Sequence, residues 1–377
     1  MAQPLDAAMI LTVNAGSSSV RLAAYRHTAK SLSRFASLHS HGTNPATLLK
    51  EFVHREKLLT PGVVAHRVVH GGERLVEACV IDSSVEAEIA RLVPRAPLHN
   101  PVALRWIQAC RDAFGRDVPQ VAAFDTAFFA DLPHAARTYP LPKALNEKHR
   151  LRRYGFHGLA HQSMWQRWCV LRPNLDQGGR IITVQLGSGC SMTAIDRGKP
   201  VDTSMGFSPL EGLMMATRSG DIDAGLIAYL QQREQLSAAA IEAILNRESG
   251  LLGVSGEPDM QRLLLREDGD ARLALNMYVH RVRKYLGAYL AVLGGADAVL
   301  LGGGVAENAP AVRESILTNM EWAGLTIDTQ ANRSAVGVEA RISQSASRMQ
   351  AWVVPVDEAA LLAAAADSIL RKHGHLE

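Results

Sequence analysis

The stretch RIITVQLGSGCSMTAIDRGKPVDTSMGFSPLEGLMMATRSGDID, residues 180–223, decides the fold. It begins as an apolar run from Ile181 to Val184, breaks at Gly187-Ser188-Gly189, and resumes alternation through Met192, Ala194 and Ile195. That pattern predicts strand, tight turn, strand. Where glycine removes the Cβ, backbone N–H groups can approach a ligand closely, and phosphate suits such a turn, although an ordinary hairpin reads the same way. Downstream, Asp202, Thr203, Ser204, Glu211, Arg218, Asp221 and Asp223 crowd into a segment with little apolar periodicity. This composition predicts a site rather than a core element.

A second segment has the same plan. In MILTVNAGSSSVRLAAY, residues 9–25, an apolar strand (Met9, Ile10, Leu11, Val13) meets a small-residue turn (Gly16, Ser17, Ser18, Ser19), and another strand starts at Val20. Asn14 matches Gln185 at an offset of 185 minus 14, or 171 residues, close to half of the 377-residue chain. An internal duplication is expected, with a period far too long for a solenoid. The length also exceeds the roughly 250–300 residues that one core sustains, so two domains are expected.

Hydrophobic residues at 47% and charged residues at 20% describe an ordinary globular chain. Forty Lys and Arg against 37 Asp and Glu give +3, which implies no nucleic-acid or membrane partner through the overall field. The pairs Arg152-Arg153 and Arg371-Lys372 read as solvated surface. Cys79, Cys110, Cys169 and Cys190 have no metal-ligand spacing and are expected to be free thiols. No apolar run approaches about 18 residues, and the N-terminus lacks the charge pattern of a secretory signal, so a cytoplasmic protein is expected.

The remaining segments supply candidates. In VVAHRVVHGGE, residues 63–73, Arg67 lies inside an apolar strand, where an unpaired guanidinium would be costly. Its partner is either a structural carboxylate or a bound anion. APLHNP, residues 96–101, reads as a turn in which Asn100 caps a helix striped by Val102, Trp106, Ile107, Cys110 and Phe114. His99 precedes that cap. Asp125 follows a short strand, a place that suits either a metal or a turn cap. His157 stands on a glycine-flanked turn before a helix through Met164 and Trp168. A long amphipathic helix over about 271–293 feeds a strand and then Gly302-Gly303-Gly304-Val305-Ala306-Glu307-Asn308. The N-terminus of that last helix can receive a phosphate or ribose edge. A strand at 352–356 and a helix from Asp357 to about Lys372 close the chain, with Glu358 in the helix's first turn.

Taken in order, NAGSSS, HRVVHGG, APLHNP, FDTAF, RYGFHG, DTSMGF-x-PLEG, TRSGDID, GVSG and GGG-x-AEN resemble the acetate and propionate kinase family of the actin, sugar-kinase and chaperone ATPase superfamily. The resemblance implies an α/β fold of two duplicated actin-like (ribonuclease-H-like) domains, each a mixed sheet flanked by helices, with a cleft between them. The expected division is residues 1–129 plus 360–377 for the N-terminal lobe and 130–359 for the other, with hinges near 129–155 and 359. It implies reversible phosphoryl transfer from ATP to acetate or propionate, giving an acyl phosphate and ADP, with Mg²⁺ or Mn²⁺, in a homodimer formed through the second domain.

Residue roles follow from the same resemblance. Arg67, Asp125, His157 and Arg218 would be catalytic, and Asn14 and Glu358 would complete the metal shell. Val69, Leu98, His99, Phe156 and Pro209, with Arg67, would bind the acyl substrate. Ser17, Ser19, Arg21, Gly187, Ser188 and Gly189 would hold phosphates, while Asp259, Gly304, Val305 and Asn308 would lie along the adenosine. Departures stand at Gln185 and Ser188, where the family usually has His and Asn, at Met260 and Gln261 beside the base, and at Ala306 in place of glycine. Those at the turn leave open a nucleotide or acyl-phosphate sensor on the same fold, and those by the base another phosphoryl donor.

Overall fold

A computed structural model describes residues 9–16, 19–28, 31–42 and 44–372. They form two compact units, one running to Ala130 and resuming at Asp357, the other spanning Asp131–Val356.

The first unit holds a six-stranded sheet of β1 (Met9–Ala15), β2 (Val20–Thr28), β3 (Ser31–Ser40), β4 (Val63–Val68), β5 (Cys79–Val80) and β6 (Gln120–Phe124), in the order β3-β2-β1-β4-β6-β5. β1, β4 and β6 run parallel, while β2, β3 and β5 pair antiparallel. β1 is buried along nearly its whole length, as its unbroken apolar run predicts for a central strand covered on both faces. Leu11, Val13, Leu22 and Ala24 pack against the helix Asn100–Phe114 through Trp106 and Cys110. The C-terminal helix Glu358–Lys372 packs on β1 and β4.

The second unit repeats this plan strand for strand. β7 (Arg180–Leu186), β8 (Cys190–Asp196), β9 (Lys199–Thr203), β10 (Ala298–Gly302), β11 (Ala340–Arg341) and β12 (Gln350–Val353) lie in the order β11-β12-β10-β7-β8-β9. Read from the other edge, this is the first sheet's order, with β10 parallel to β7 and β12 and the other pairs antiparallel. Finer detail is duplicated too. The register slips between Ala24 and Tyr25 in β2 and between Ala194 and Ile195 in β8. The offset there is 194 minus 24, or 170 residues, one fewer than before the turns. The turn Gly187–Gly189 is accordingly one residue shorter than the turn at 16–19.

Two local expectations need correction. Asn100 does not cap the helix that it begins: His99 occupies the cap position, without a side-chain capping bond. The Asn100 amide instead accepts from His70 N at 3.1 Å and donates to His70 O at 3.1 Å and Ile89 O at 3.3 Å. A buried amide there satisfies backbone groups of two other segments, a stronger demand than one helical N–H. Arg153, expected in solvent, has a side chain only 17% exposed and pairs with Glu211 at 2.6 Å. Its guanidinium lies over the Tyr139 ring, 5.7 Å from the centroid, so stacking and the ion pair outweigh hydration. Its neighbour Arg152 lies over the Tyr154 ring and is likewise half-buried. All four cysteines are free.

Candidate active site

In the first unit the functional side chains gather at the C-terminal ends of adjacent parallel strands, where open α/β sheets place their ligands. Asn14 is the penultimate residue of β1, Arg67 that of β4, and Asp125 directly follows β6. Arg67 donates to both carboxylate oxygens of Asp125, by Nε at 3.1 Å to each and by Nη2 at 2.6 Å to Oδ2. Its Nη1 donates to Asn14 Oδ1 at 3.1 Å, and Asn14 Nδ2 donates to Glu358 Oε2 at 2.5 Å. Glu358 Oε1 lies 3.9 Å from Arg67 Nε. Asp125 is fully buried, and of the two alternatives for Arg67's partner the structure shows the carboxylate, with part of the donor fork left over. Burial alone would lower the Arg67 pKa, but Asp125 and then Glu358 raise it, so the guanidinium stays charged.

Two carboxylates, those of Asp125 and Glu358, face the Arg67 guanidinium in this cluster. A buried carboxylate and a second one at a helix start, with an amide between them, suit a hard divalent cation that takes its other ligands from water and phosphate. Among the described residues no three His, Cys, Asp or Glu side chains group as a metal cage. Val69 is buried, and Leu98 and His99 are half-buried, in the same unit. Ser19 O accepts from Gly16 N at 2.8 Å to close the first turn, and Arg21 is exposed on β2. Ser17 lies outside the described residues.

In the second unit the turn Gly187–Gly189 is closed by Gly187 N donating to Gly189 O at 3.0 Å. His157 stands just before the helix Gly158–Leu171 with φ 57° and ψ 29°, a left-handed conformation rarely held by a residue with a Cβ and often kept where a site demands it. A Cβ on Gly189 would lie 3.1 Å from both Cε1 and Nε2 of His157 and 3.3 Å from Arg218 Nη2. The glycine therefore marks where the turn, the imidazole and the guanidinium converge. Arg218 Nη1 donates to Pro209 O at 2.6 Å, and no carboxylate of the described residues lies within ion-pair distance of it. Burial lowers its pKa, with Cys190 opposing weakly. A half-buried cation with no carboxylate partner among the described residues is an arrangement that a bound anion would stabilise.

The acidic residues downstream of the turn hold this loop rather than face a ligand. Glu211 accepts from Arg153 Nη2 at 2.6 Å and from Tyr139 at 2.5 Å, and Tyr139 in turn accepts from Phe207 N at 2.8 Å. Asp221 accepts from Gly212 N at 2.8 Å and Tyr285 at 2.9 Å and pairs with Arg281 at 3.1 Å. Asp223 caps the next helix, and Asp202 accepts from Thr203 N, its pKa raised mainly by burial. Sequence reasoning singled out this crowd but not its function of fixing Pro209 and Arg218.

The glycine turn after β10 is held by Glu307, whose Oε1 accepts from Gly303 N at 2.8 Å and Val356 N at 3.1 Å. That residue was not foreseen as a site holder; its signal is an acid in a helix's first turn. Gly304 and Asn308 are exposed and Val305 half-buried there. Asp259 spends its carboxylate on capping a short helix at Arg262 N, 3.0 Å. Met260 is buried and Gln261 exposed. Phe156 is buried, with Pro209 half-buried and Ser188 exposed at the turn's tip.

Two copies of one mixed-sheet fold, with partly buried cations and a glycine turn at the strand ends, define the class as a phosphotransferase with duplicated actin-like domains. Residues 38–364 match the model of the Acetokinase family. The acetate kinase of Solibacter usitatus is 48% identical over 80% of this chain and 74% of its own. That of Sulfurimonas denitrificans is 41% identical over 92% and 89%. A crystal structure of the Porphyromonas gingivalis acetate kinase covers 96% of this chain and 100% of its own at 34% identity, TM-score 0.83. A Francisella tularensis propionate kinase covers 96% and 100% at 32%, TM-score 0.86. The chain belongs to the acetate kinase family, phosphotransferases with a carboxyl group as acceptor. No helix of the described residues is long and apolar enough to cross a membrane.

Proposed function

We propose that the protein transfers the γ-phosphoryl group of ATP reversibly to acetate, giving acetyl phosphate and ADP, with Mg²⁺. An acetate oxygen bonds to phosphorus while the bond from phosphorus to the ADP oxygen breaks. The transition state is loose and spreads charge over the equatorial oxygens, so positioned cations supply most of the rate. Arg218, His157 and the N–H groups at Gly187–Gly189 meet those oxygens. The part of the Arg67 fork that Asp125 and Asn14 leave over takes the acyl substrate's oxygens. Asp125, Glu358 and Asn14 would hold Mg²⁺, which when bound neutralises charge on the phosphates.

Val69, Leu98, Phe156 and Pro209, with His99, are assigned to the acyl methyl. Ser17, Ser19, Arg21 and Ser188 are assigned to phosphates, and Asp259, Gly304, Val305 and Asn308 to adenosine. A cytoplasmic setting and a homodimer belong to the same reading. The lobes are proposed at 1–129 with 360–377 and at 130–359.

The observation that carries this reading is Arg218, half-buried and tied to Pro209 O at 2.6 Å without a carboxylate partner. The experiment is hydroxamate trapping of acyl phosphate with ATP, Mg²⁺ and acetate, beside an Arg218→Ala control. Signal well above the control is expected; equal signals would overturn the proposal. Likeness to a propionate kinase makes propionate the second acceptor to compare by kcat/KM, since one methylene in a pocket is worth about 1–3 kcal/mol.

A further inference from the structure

Arg313, on the helix Pro310–Leu317 of the second unit, is completely buried, yet its guanidinium is held by oxygens that carry no formal charge. Nε donates to Asn332 Oδ1 at 2.8 Å, Nη1 to Ala306 O at 2.6 Å and Glu307 O at 3.2 Å, and Nη2 to Asn332 O at 2.6 Å and Ala335 O at 2.7 Å. A guanidinium has five N–H donors, and each has an acceptor here. The carbonyls lie at the ends of two short helices. Pro310 follows the helix Gly304–Asn308 after a single residue. In a continued α-helix Ala306 O would accept from the N–H of residue 310, and proline has none. Arg313 Nη1 takes its place. Glu307 O accepts from Gly337 N at 3.0 Å as well as from Arg313. Asn332 O and Ala335 O lie at the C-terminal end of the helix Thr329–Ser334, where carbonyls lack helical partners. The partial negative charges of two helix ends thus surround one cation. Burial lowers its pKa only to about 10, so it is charged at neutral pH. Asn332, itself completely buried, closes the cluster by donating Nδ2 to Pro310 O at 2.9 Å.

The helix clamped in this way carries Gly304, Val305 and Asn308. We propose that Arg313 is a positioning residue for nucleotide binding, which fixes the helix Gly304–Asn308 in the arrangement that receives adenosine. It sets the affinity for ATP and ADP rather than the affinity for acetate or the rate of phosphoryl transfer, since none of its partners is a residue assigned to the acyl or transferring group. This deepens the proposed kinase reading and rests on its placement of adenosine. Lysine at 313 keeps the charge, but three donors on one ammonium cannot meet five bonds spread over two helices. Carbonyls at one helix end are then left short, and the helix relaxes toward water. The apparent Kd for a nucleotide rises by the inverse of the fraction still in the binding arrangement, so a population of about a tenth gives about tenfold weaker binding.

The test uses the full-length chain as wild type, Arg313→Lys, Asn332→Ala and, as control, Arg283→Lys. Arg283 also holds helix-end carbonyls, with Nη1 donating to Ile316 O and Thr318 O at 2.6 Å each, but at the far end of the helix Pro310–Leu317. Calorimetry with ADP and Mg²⁺ is expected to show binding about tenfold weaker in Arg313→Lys and about threefold weaker in Asn332→Ala, with Arg283→Lys within about twofold of the wild type. KM for ATP should rise in parallel, while kcat and KM for acetate stay within about twofold. Asn332→Ala leaves Arg313 in place and decides the matter where Arg313→Lys does not fold. Wild-type ADP affinity in every folded variant of Arg313 and Asn332 would overturn the assignment. So would an equal loss in Arg283→Lys, or a rise in KM for acetate that matches the rise for ATP. A wild type that binds no ADP would instead overturn the placement of adenosine, and the assignment with it.

Discussion

Gly189→Ala separates positioning from folding at the proposed phosphoryl site. The backbone at Gly189 does not have the positive φ that penalises a side chain, so alanine is tolerated conformationally and even gains up to about 1 kcal/mol through a stiffer unfolded chain. Its methyl, however, would lie 3.1 Å from His157 Nε2 and 3.3 Å from Arg218 Nη2. Both groups must retreat by a few tenths of an ångström to reach ordinary contact. Displacing reacting or stabilising groups by about 1 Å can cost about 10²-fold in rate, so displacement of this size should cost about tenfold. The expected result is a kcat about tenfold down, a KM for acetate little changed, and a Tm equal to or above that of the wild type. Gly303→Ala is the contrast: there φ is +86° and the methyl would lie 2.6 Å from Leu186 O, so that variant should fold poorly. Wild-type kcat in Gly189→Ala, or a loss of kcat matched by a loss of folded protein, would refute the placement of His157 and Arg218 at one anion site.

Arg218→Lys keeps a charge but loses the planar fork and its bond to Pro209 O, so kcat should drop about 10²-fold, and Arg218→Ala about 10³-fold; an alanine variant retaining a tenth of wild-type kcat would contradict the assignment. Glu211→Gln leaves Arg153 without its counterion, and because both side chains are partly exposed at 17% and 32%, the stability loss should be about 1–2 kcal/mol by urea titration. The same variant should lower kcat by loosening the loop that carries Pro209 and Arg218; unchanged kcat would show that the loop is fixed by other contacts. Burial lowers the pKa of His66 to about 4 and those of His70 and His161 to about 3. The unfolded chain therefore binds more protons below about pH 6.5, so stability is full above that value and is lost as pH falls toward the folded pKa values. Each proton contributes a slope of about 1.4 kcal/mol per pH unit, and an unfolding free energy that stays flat from pH 7 to pH 5 would rule this out.

The duplication was legible because apolar strands and small-residue turns have a fixed local pattern, and β1–β2 and β7–β8 each follow it. Arg67 was legible for the opposite reason: a guanidinium in an apolar strand breaks the pattern and so demands a partner. Glu211, Ser191 and Thr183 could not be read that way. Their partners, Arg153, His157 and His161, lie 58, 34 and 22 residues away, and nothing in local spacing ties a serine on one strand to a histidine on a distant helix. Asn100 shows the converse failure. Asn before Pro fits a helix cap, yet tertiary demand from His70 and Ile89 took the amide.

The two units also show how one scaffold came to carry unlike chemistry at equivalent places. Asn14 and Gln185 are the penultimate residues of the matched strands β1 and β7. In the first unit both ends of the amide are engaged, the oxygen by Arg67 and the nitrogen by Glu358, so that side chain serves to tie a cation to an anion. In the second, Gln185 Oε1 is buried without a partner, a cost of about 1–3 kcal/mol. Thr12 and Thr183 make the same bond to the neighbouring strand, but Thr183 also has a histidine nitrogen, His161 Nδ1, 2.7 Å from its hydroxyl. The helix Gly158–Leu171 supplies that histidine and begins immediately after His157. That helix packs on β7 and β10 as the C-terminal helix packs on β1 and β4, so equivalent helices carry His157 and His161 at the start of one and Glu358 at the start of the other. The unlike chemistry of the two units thus follows from the side chains placed on matched strands and helices rather than from a difference in the elements themselves.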